Sequence, residues 1–155
     1  MAVSKATIVP DIWRLFYDRI KAQVTTTTIT GSIVVTIKTW ESNFSDKPFE
    51  DKTYYPVIVI GTPSVPTDRF TSGKDKIDGT ILLEVYTYQS ESADKFIAQI
   101  QDTIETYRHT LADNRLRQIK FGDMQTDMVQ RGSIKIHVRR LPITFRYYYN
   151  RTIAF

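Results

Sequence analysis

The chain contains no cysteine. That single absence removes disulfides, thiol nucleophiles, iron–sulfur clusters and every zinc site that uses a thiolate. Histidine is almost as scarce. His109 and His137 are the only two, too few for an imidazole-rich metal cage. No apolar run approaches the ~18 residues that a membrane span needs, so no membrane partner is expected. The opening "MAVSKATIVPDIW" lacks a basic region followed by an apolar core and a cleavage site, so the protein is expected to stay where it is made. Glycine and proline number six each, and three of those glycines and two of those prolines fall within 61–79.

What remains is the composition of an ordinary globular domain, with 41% apolar and 25% charged residues among 155. A single domain over 1–155 is expected. The net charge of +4 is unevenly spread: residues 1–114 sum to −3, and the rest to +7. One-sided charge of this kind suits a contact with an acidic partner, whether protein or nucleic acid, although solvent faces and sheet edges favour lysine and arginine anyway.

Ile12, Phe16, Ile20 and Val24 recur every four residues, which predicts an amphipathic helix opened by Pro10. The β-branched run at 25–30 favours extended chain, and Gly31 a turn or bulge. "SIVVTIKTW" (32–40) predicts one strand with Ile33, Val35 and Ile37 facing inward. A polar connection, 41–54, leads to "YPVIVIGT", an apolar run expected to be a strand buried on both faces, with Pro56 at its start. Residues 61–79 predict a long loop. "TILLEVYTYQ" (80–89) alternates as a strand with Ile81, Leu83 and Val85 inward. A second helix follows, capped by Ser90 or Ser92, with Asp94 in its first turn, a stripe from Phe96 to Leu111, and an end at 113–114. "RLRQIKF" (115–121) is a short strand and 122–132 a polar connection. The predicted fold is α+β, in the order α-β-β-β-α-β-β, with two helices on one face of a mainly antiparallel sheet.

The final stretch, "SIKIHVRRLPITFRYYYN", reads as strand throughout, but its alternation changes step. Ile134, Ile136 and Val138 share one parity; Leu141, Ile143, Phe145, Tyr147 and Tyr149 share the other. Two explanations stand side by side. One is a β-bulge at Arg139–Arg140; the other is two strands joined there, with Pro142 starting the second.

Catalytic and cofactor motifs are wanting. "TSGKD" lacks the glycine that a phosphate loop requires five residues before Gly73, where Asp68 stands. Asp123 and Asp127 lack the oxygen-ligand density of a calcium loop. No nucleophile elbow is present, the carboxylates are scattered, and neither histidine is tied to a nucleophile. Neither catalysis nor a cofactor is expected. Tyr147 to Tyr149 beside Arg146 and Arg151 would combine stacking with phosphate contacts, but alternation directs Tyr147 and Tyr149 to the core side and leaves only Tyr148 beside Arg146.

The segments "PDIWRLFYDRIKAQV", "YYPVIVIG", "ILLEVYTYQSESADKFIAQIQDTI" and "PITFRYYYN", in this order, resemble the tail terminator (tail completion) proteins of long-tailed phages and related viruses. The resemblance rests on architecture, size and lack of catalytic residues across nearly the whole chain. It implies a structural virion protein at the head-proximal end of the tail, assembled in the host cytoplasm. It also implies a homo-oligomeric ring, commonly hexameric, that ends tail-tube polymerisation. Its implied partners are further copies of itself, the major tail tube protein, the head–tail connector protein and, in passing, viral DNA. The residues expected at subunit or partner contacts are Lys135, His137, Arg139, Arg140, Arg146, Tyr148, Arg69 and Lys74. The polar 41–54 and 61–79 loops are expected to order against tube or connector. Charge reversal at Arg139 and Arg140 is expected to weaken assembly while sparing the fold. The alternative is a basic single-domain nucleic-acid-binding module.

Overall fold

A computed structural model of the chain describes residues 5–65 and 76–148. Helix α1 (Lys5–Gln23) buries Ile8, Ile12, Phe16 and Ile20, and Val24 continues the row. Pro10 does not open this helix. The stripe begins one turn earlier, at the buried Ile8, so Pro10 lies inside and leaves the carbonyl of residue 6 without its helical donor. Trp13 anchors α1 to the sheet by donating its indole N–H to the Ile60 carbonyl at 2.7 Å.

The threonine run forms β1 (Thr26–Ile29), which turns back through Thr30–Ser32 into β2 (Ile33–Thr36) as an antiparallel ribbon. Gly31 (φ 87°) and Ser32 (φ 59°) supply the left-handed backbone of that turn. The single strand expected over 32–40 is in fact two. The chain leaves the ribbon at Ile37, Lys38 donates to the Pro56 carbonyl at 2.8 Å, and β3 (Thr39–Glu41) pairs parallel with β4 (Val57–Ile60). Val35 and Ile37 face the core as expected, but Ile33 is 53% exposed because the tip of the ribbon runs past it.

All four residues of β4 are buried, and Pro56 just precedes it. β5 (Lys76–Thr87) begins earlier than the expected strand, so 76–79 belong to the sheet and not to a loop. Helix α2 (Ser90–Thr106) follows, and a break at Tyr107 separates it from α3 (Arg108–Asp113). Neither Ser90 nor Ser92 caps α2; the cap position is Gln89, without a side-chain bond. Ser92 instead donates to the Gln89 carbonyl at 2.9 Å. The acid of the first turn is Glu91, with Asp94 one step deeper.

β6 (Leu116–Phe121), β7 (Gln125–Arg131) and β8 (Ile134–Tyr148) complete the chain. β7 lies where a polar connection was expected. All seven of its residues are exposed, so burial imposes no alternation that a periodicity could reveal. The observed order is α-β-β-β-β-β-α-α-β-β-β, an α+β fold with a six-stranded, mostly antiparallel sheet ordered β3-β4-β5-β8-β6, β7 also pairing with β8.

The change of step in β8 has neither expected cause. Pairing with β5 runs without a shift from Lys76–Tyr148 to Thr87–His137, so β8 is one strand with no bulge at Arg139–Arg140. What changes is the side on which the core lies. Leu141, Ile143, Phe145 and Tyr147 pack with α1, α2, Leu83 and Val85 on the helix face. Ile136 and Val138 pack with Val57, Val59 and Tyr86 on the opposite face, under Phe49, Tyr54 and Tyr55. The 41–54 connection is therefore no free loop: its aromatics form a second core. Phe44 stacks on Tyr86 with centroids 4.3 Å apart, and Tyr54 meets Tyr55 edge-on at 5.0 Å.

Candidate subunit interface

β8 is an interior strand, paired with β5 along one edge and with β6 and β7 along the other, and strand alternation splits its basic residues between the two faces. Lys135, His137 and Arg139 share parity with Leu141 and so point to the helix side; Arg140, Arg146 and Tyr148 point to the other. The expected contact residues thus form no single surface. Arg69 and Lys74 lie outside the described residues.

Arg139 is 6% exposed. Its guanidinium donates to Asp94 Oδ1 at 2.7 Å, to Ser90 Oγ at 2.8 Å and to the Val138 carbonyl at 3.1 Å, which ties β8 to the first turns of α2. It cannot serve an outside partner, and reversing its charge would set a carboxylate against Asp94. The expectation that this reversal spares the fold therefore fails. Arg140 donates to Glu84 Oε2 at 3.0 Å and lies 3.5 Å from Asp127 Oδ2. Burial is the largest single influence and disfavours its charge, but the Glu84 hydrogen bond together with the charges of Tyr86 and Glu84 more than offsets it and raises the pKa above the ordinary guanidinium value. Tyr86 donates to the same carboxylate at 2.7 Å; burial, and then that bond, push its phenol well above the usual range.

Arg146 donates to Asp78 Oδ1 at 2.7 Å across the strand pair, and Arg131 reaches Asp46 Oδ1 at 2.8 Å. Four of the nine cations after residue 114 thus pair with acids from the first 114: Arg131, Arg139, Arg140 and Arg146. Much of the charge asymmetry holds the chain to itself. His137 is half-buried, and burial first, then Arg139 and Lys135, lowers its pKa, so it is neutral at pH 7. Lys135 is exposed. Tyr147 is buried and Tyr148 lies on the Arg146 face, as alternation predicts, with Arg117 placed 5.6 Å from the Tyr148 ring centroid.

Chemistry-bearing clusters are sparse. Among the described residues no group of three or more His, Asp or Glu could hold a metal ion, and no helix is long and apolar enough to cross a membrane. His109 stands out in solvent, 3.7 Å from Asp113. A cleft of about 610 Å³ opens between β5, β8 and β6, lined by Asp78, Lys120, Thr144 and Arg146, but it brings no nucleophile and base together.

The most exposed apolar groups lie elsewhere. Ile33 and Val34 on β2 are 53% and 63% exposed; Met124, Met128 and Val129, on and just before β7, are 37–45% exposed. These five, with Leu82, are the large apolar side chains left open among the described residues. Periodicity directs Ile33 inward and singles out none of the others. The available signal was the absence of any charge between Lys21 and Lys38. Comparison with protein-family models and with curated protein sequences returns no match.

Proposed function

We propose that the protein is a structural subunit that closes with further copies of itself into a ring at the end of a viral tail tube, in the manner of a tail terminator. The observation that carries this reading is the pair of unlike ribbons, β1–β2 and β7–β8, each presenting apolar side chains to solvent. A closed ring needs two different patches on each subunit, one to meet the other on its neighbour. Opposite electrical ends do not supply them, because four of the C-terminal cations are paired within the subunit. The same pairing weakens the nucleic-acid alternative, which draws on those cations.

The test is the particle mass across a wide concentration range, alone and with purified tail tubes. The ring reading expects a discrete oligomer, or tube-bound copies in fixed number. A subunit that stays monomeric in both settings overturns it. DNA binding by that monomer with a steep salt dependence would favour the alternative.

A further inference from the structure

The two edges of the β1–β2 ribbon differ. The β1 edge is occupied by α2: Lys95 Nζ donates to the Thr28 carbonyl at 2.6 Å, Gln99 Nε2 to the Thr26 carbonyl at 3.0 Å, and the Thr30 N–H to Glu91 at 2.7 Å. Since Thr26 and Thr28 turn their carbonyls toward α2, the pairs that exchange bonds within the ribbon are Thr27–Val35 and Ile29–Ile33. Val34 and Thr36 therefore direct their backbone N–H and C=O groups outward from β2. Proteins guard such edges with charge, proline or a bulge; Ile33–Thr36 has none of these.

At the other end of the strand order, β7 is also an edge. The two-residue turn Gly132–Ser133 makes Arg131–Ile134 the closing pair of its hairpin, so Thr126, Met128 and Gln130 face outward. Here the edge is guarded, but lightly. The Met128 N–H donates to Asp127 Oδ1 at 2.8 Å, while Oδ2 of the same carboxylate lies 3.5 Å from Arg140. An arriving strand can take the Met128 N–H while Asp127 keeps Arg140.

We propose that β2 of one copy pairs edge to edge with β7 of the next, so that the sheet system continues from subunit to subunit. The occupant is a second copy because one such contact covers both exposed groups at once: Ile33 and Val34 on one side, Met124, Met128 and Val129 on the other. A β2–β2 contact would leave the three β7-side groups open. β2 joins the sheet through β3, four strand spacings from β7, or roughly 19 Å. The contact is therefore head-to-tail and leaves a fresh edge for the next copy. This rests on the ring reading and specifies its joint.

The experiment uses V34K and M128K of the full chain, each at an exposed side chain, with particle mass read alone and after equal mixing. Melting temperatures confirm folding, and T36K replaces V34K if the first lysine disturbs the subunit. Each variant alone is expected to need at least tenfold more protein than wild type to associate. The mixture is expected to give one-to-one dimers, because the V34K copy retains an intact β7 and the M128K copy an intact β2. If wild type forms rings and either variant does so equally well, the strand pairing is wrong and the ring reading survives. If M128K assembles but V34K does not, β2 meets β2 and the proposal falls. It also falls if both variants fail and their mixture stays monomeric. A wild type monomeric at every concentration and on tubes ends both readings.

Discussion

Removing Asp94 should destabilise the subunit more than removing its partner, Arg139. The guanidinium is the buried member, with a side chain 8% exposed, whereas the Asp94 side chain is 55% exposed. In D94A the cation stays in the interior with only Ser90 and a carbonyl as acceptors. Stripping one partner from a fully buried pair costs ~3–5 kcal/mol, and the half-exposed carboxylate reduces this to about 2 kcal/mol. In R139M a methionine fills much of the volume and Asp94 turns to water, so the loss is about 1 kcal/mol. At ~2–4 °C per kcal/mol for a chain of this size, the melting temperature should drop by about 4–8 °C in D94A and about 2–4 °C in R139M. The double variant should resemble R139M alone, because with the guanidinium gone nothing is left uncompensated. Thermal melts and denaturant titrations at low concentration, where assembly does not contribute, measure all three. An R139M loss equal to or larger than that of D94A, or simple additivity in the double variant, would refute the reasoning.

Two further outcomes follow from the packing. In G79A the added methyl would stand 2.7 Å from Phe145 Cζ and 2.8 Å from both the Ser64 carbonyl oxygen and Val65 Cγ1; such overpacking costs ~1–3 kcal/mol, and an unchanged melting temperature would contradict it. Alkali should unfold the protein through its second core. Burial first, then Tyr54 and Asp46, push the Tyr55 phenol up to about 12 from 10.0, so the folded state holds a proton that the unfolded state has lost. Stability should hold below about pH 10 and fall toward pH 12 by on the order of 1–2 kcal/mol from this group, with a shallower slope in Y55F; denaturant midpoints across that range are the measure.

The helices and β5 were legible because one buried face leaves a period: Ile12 to Val24 repeats every four residues, and Ile81, Leu83 and Val85 every two; β4 was legible instead as a short unbroken apolar run, buried on both faces. β7 left no such mark, since Gln125–Arg131 owes its conformation to backbone bonds with β8 and buries nothing. The 41–54 connection misled for a different reason. Its charged residues outnumber its aromatics, yet Phe49 and Tyr54, with Tyr55 just beyond, carry the packing. The basic run was visible as charge, but not the destination of that charge. Asp94, Glu84, Asp78 and Asp46 lie 45–85 residues away from their arginines, a distance that only the strand pairing closes.

One strand that serves two cores on opposite faces is self-indexing. Displace β8 by one position along β5, and Ile136 and Val138 leave the aromatic layer as Leu141 and Ile143 leave the helices, so both layers fail together. Displace it by two, and parity returns, but Arg139, Arg140 and Arg146 each miss their carboxylates. Apolar contacts thus exclude odd errors and ion pairs exclude even ones. A fifteen-residue central strand with free choice of alignment would be a hazard; this one has a single place to stop.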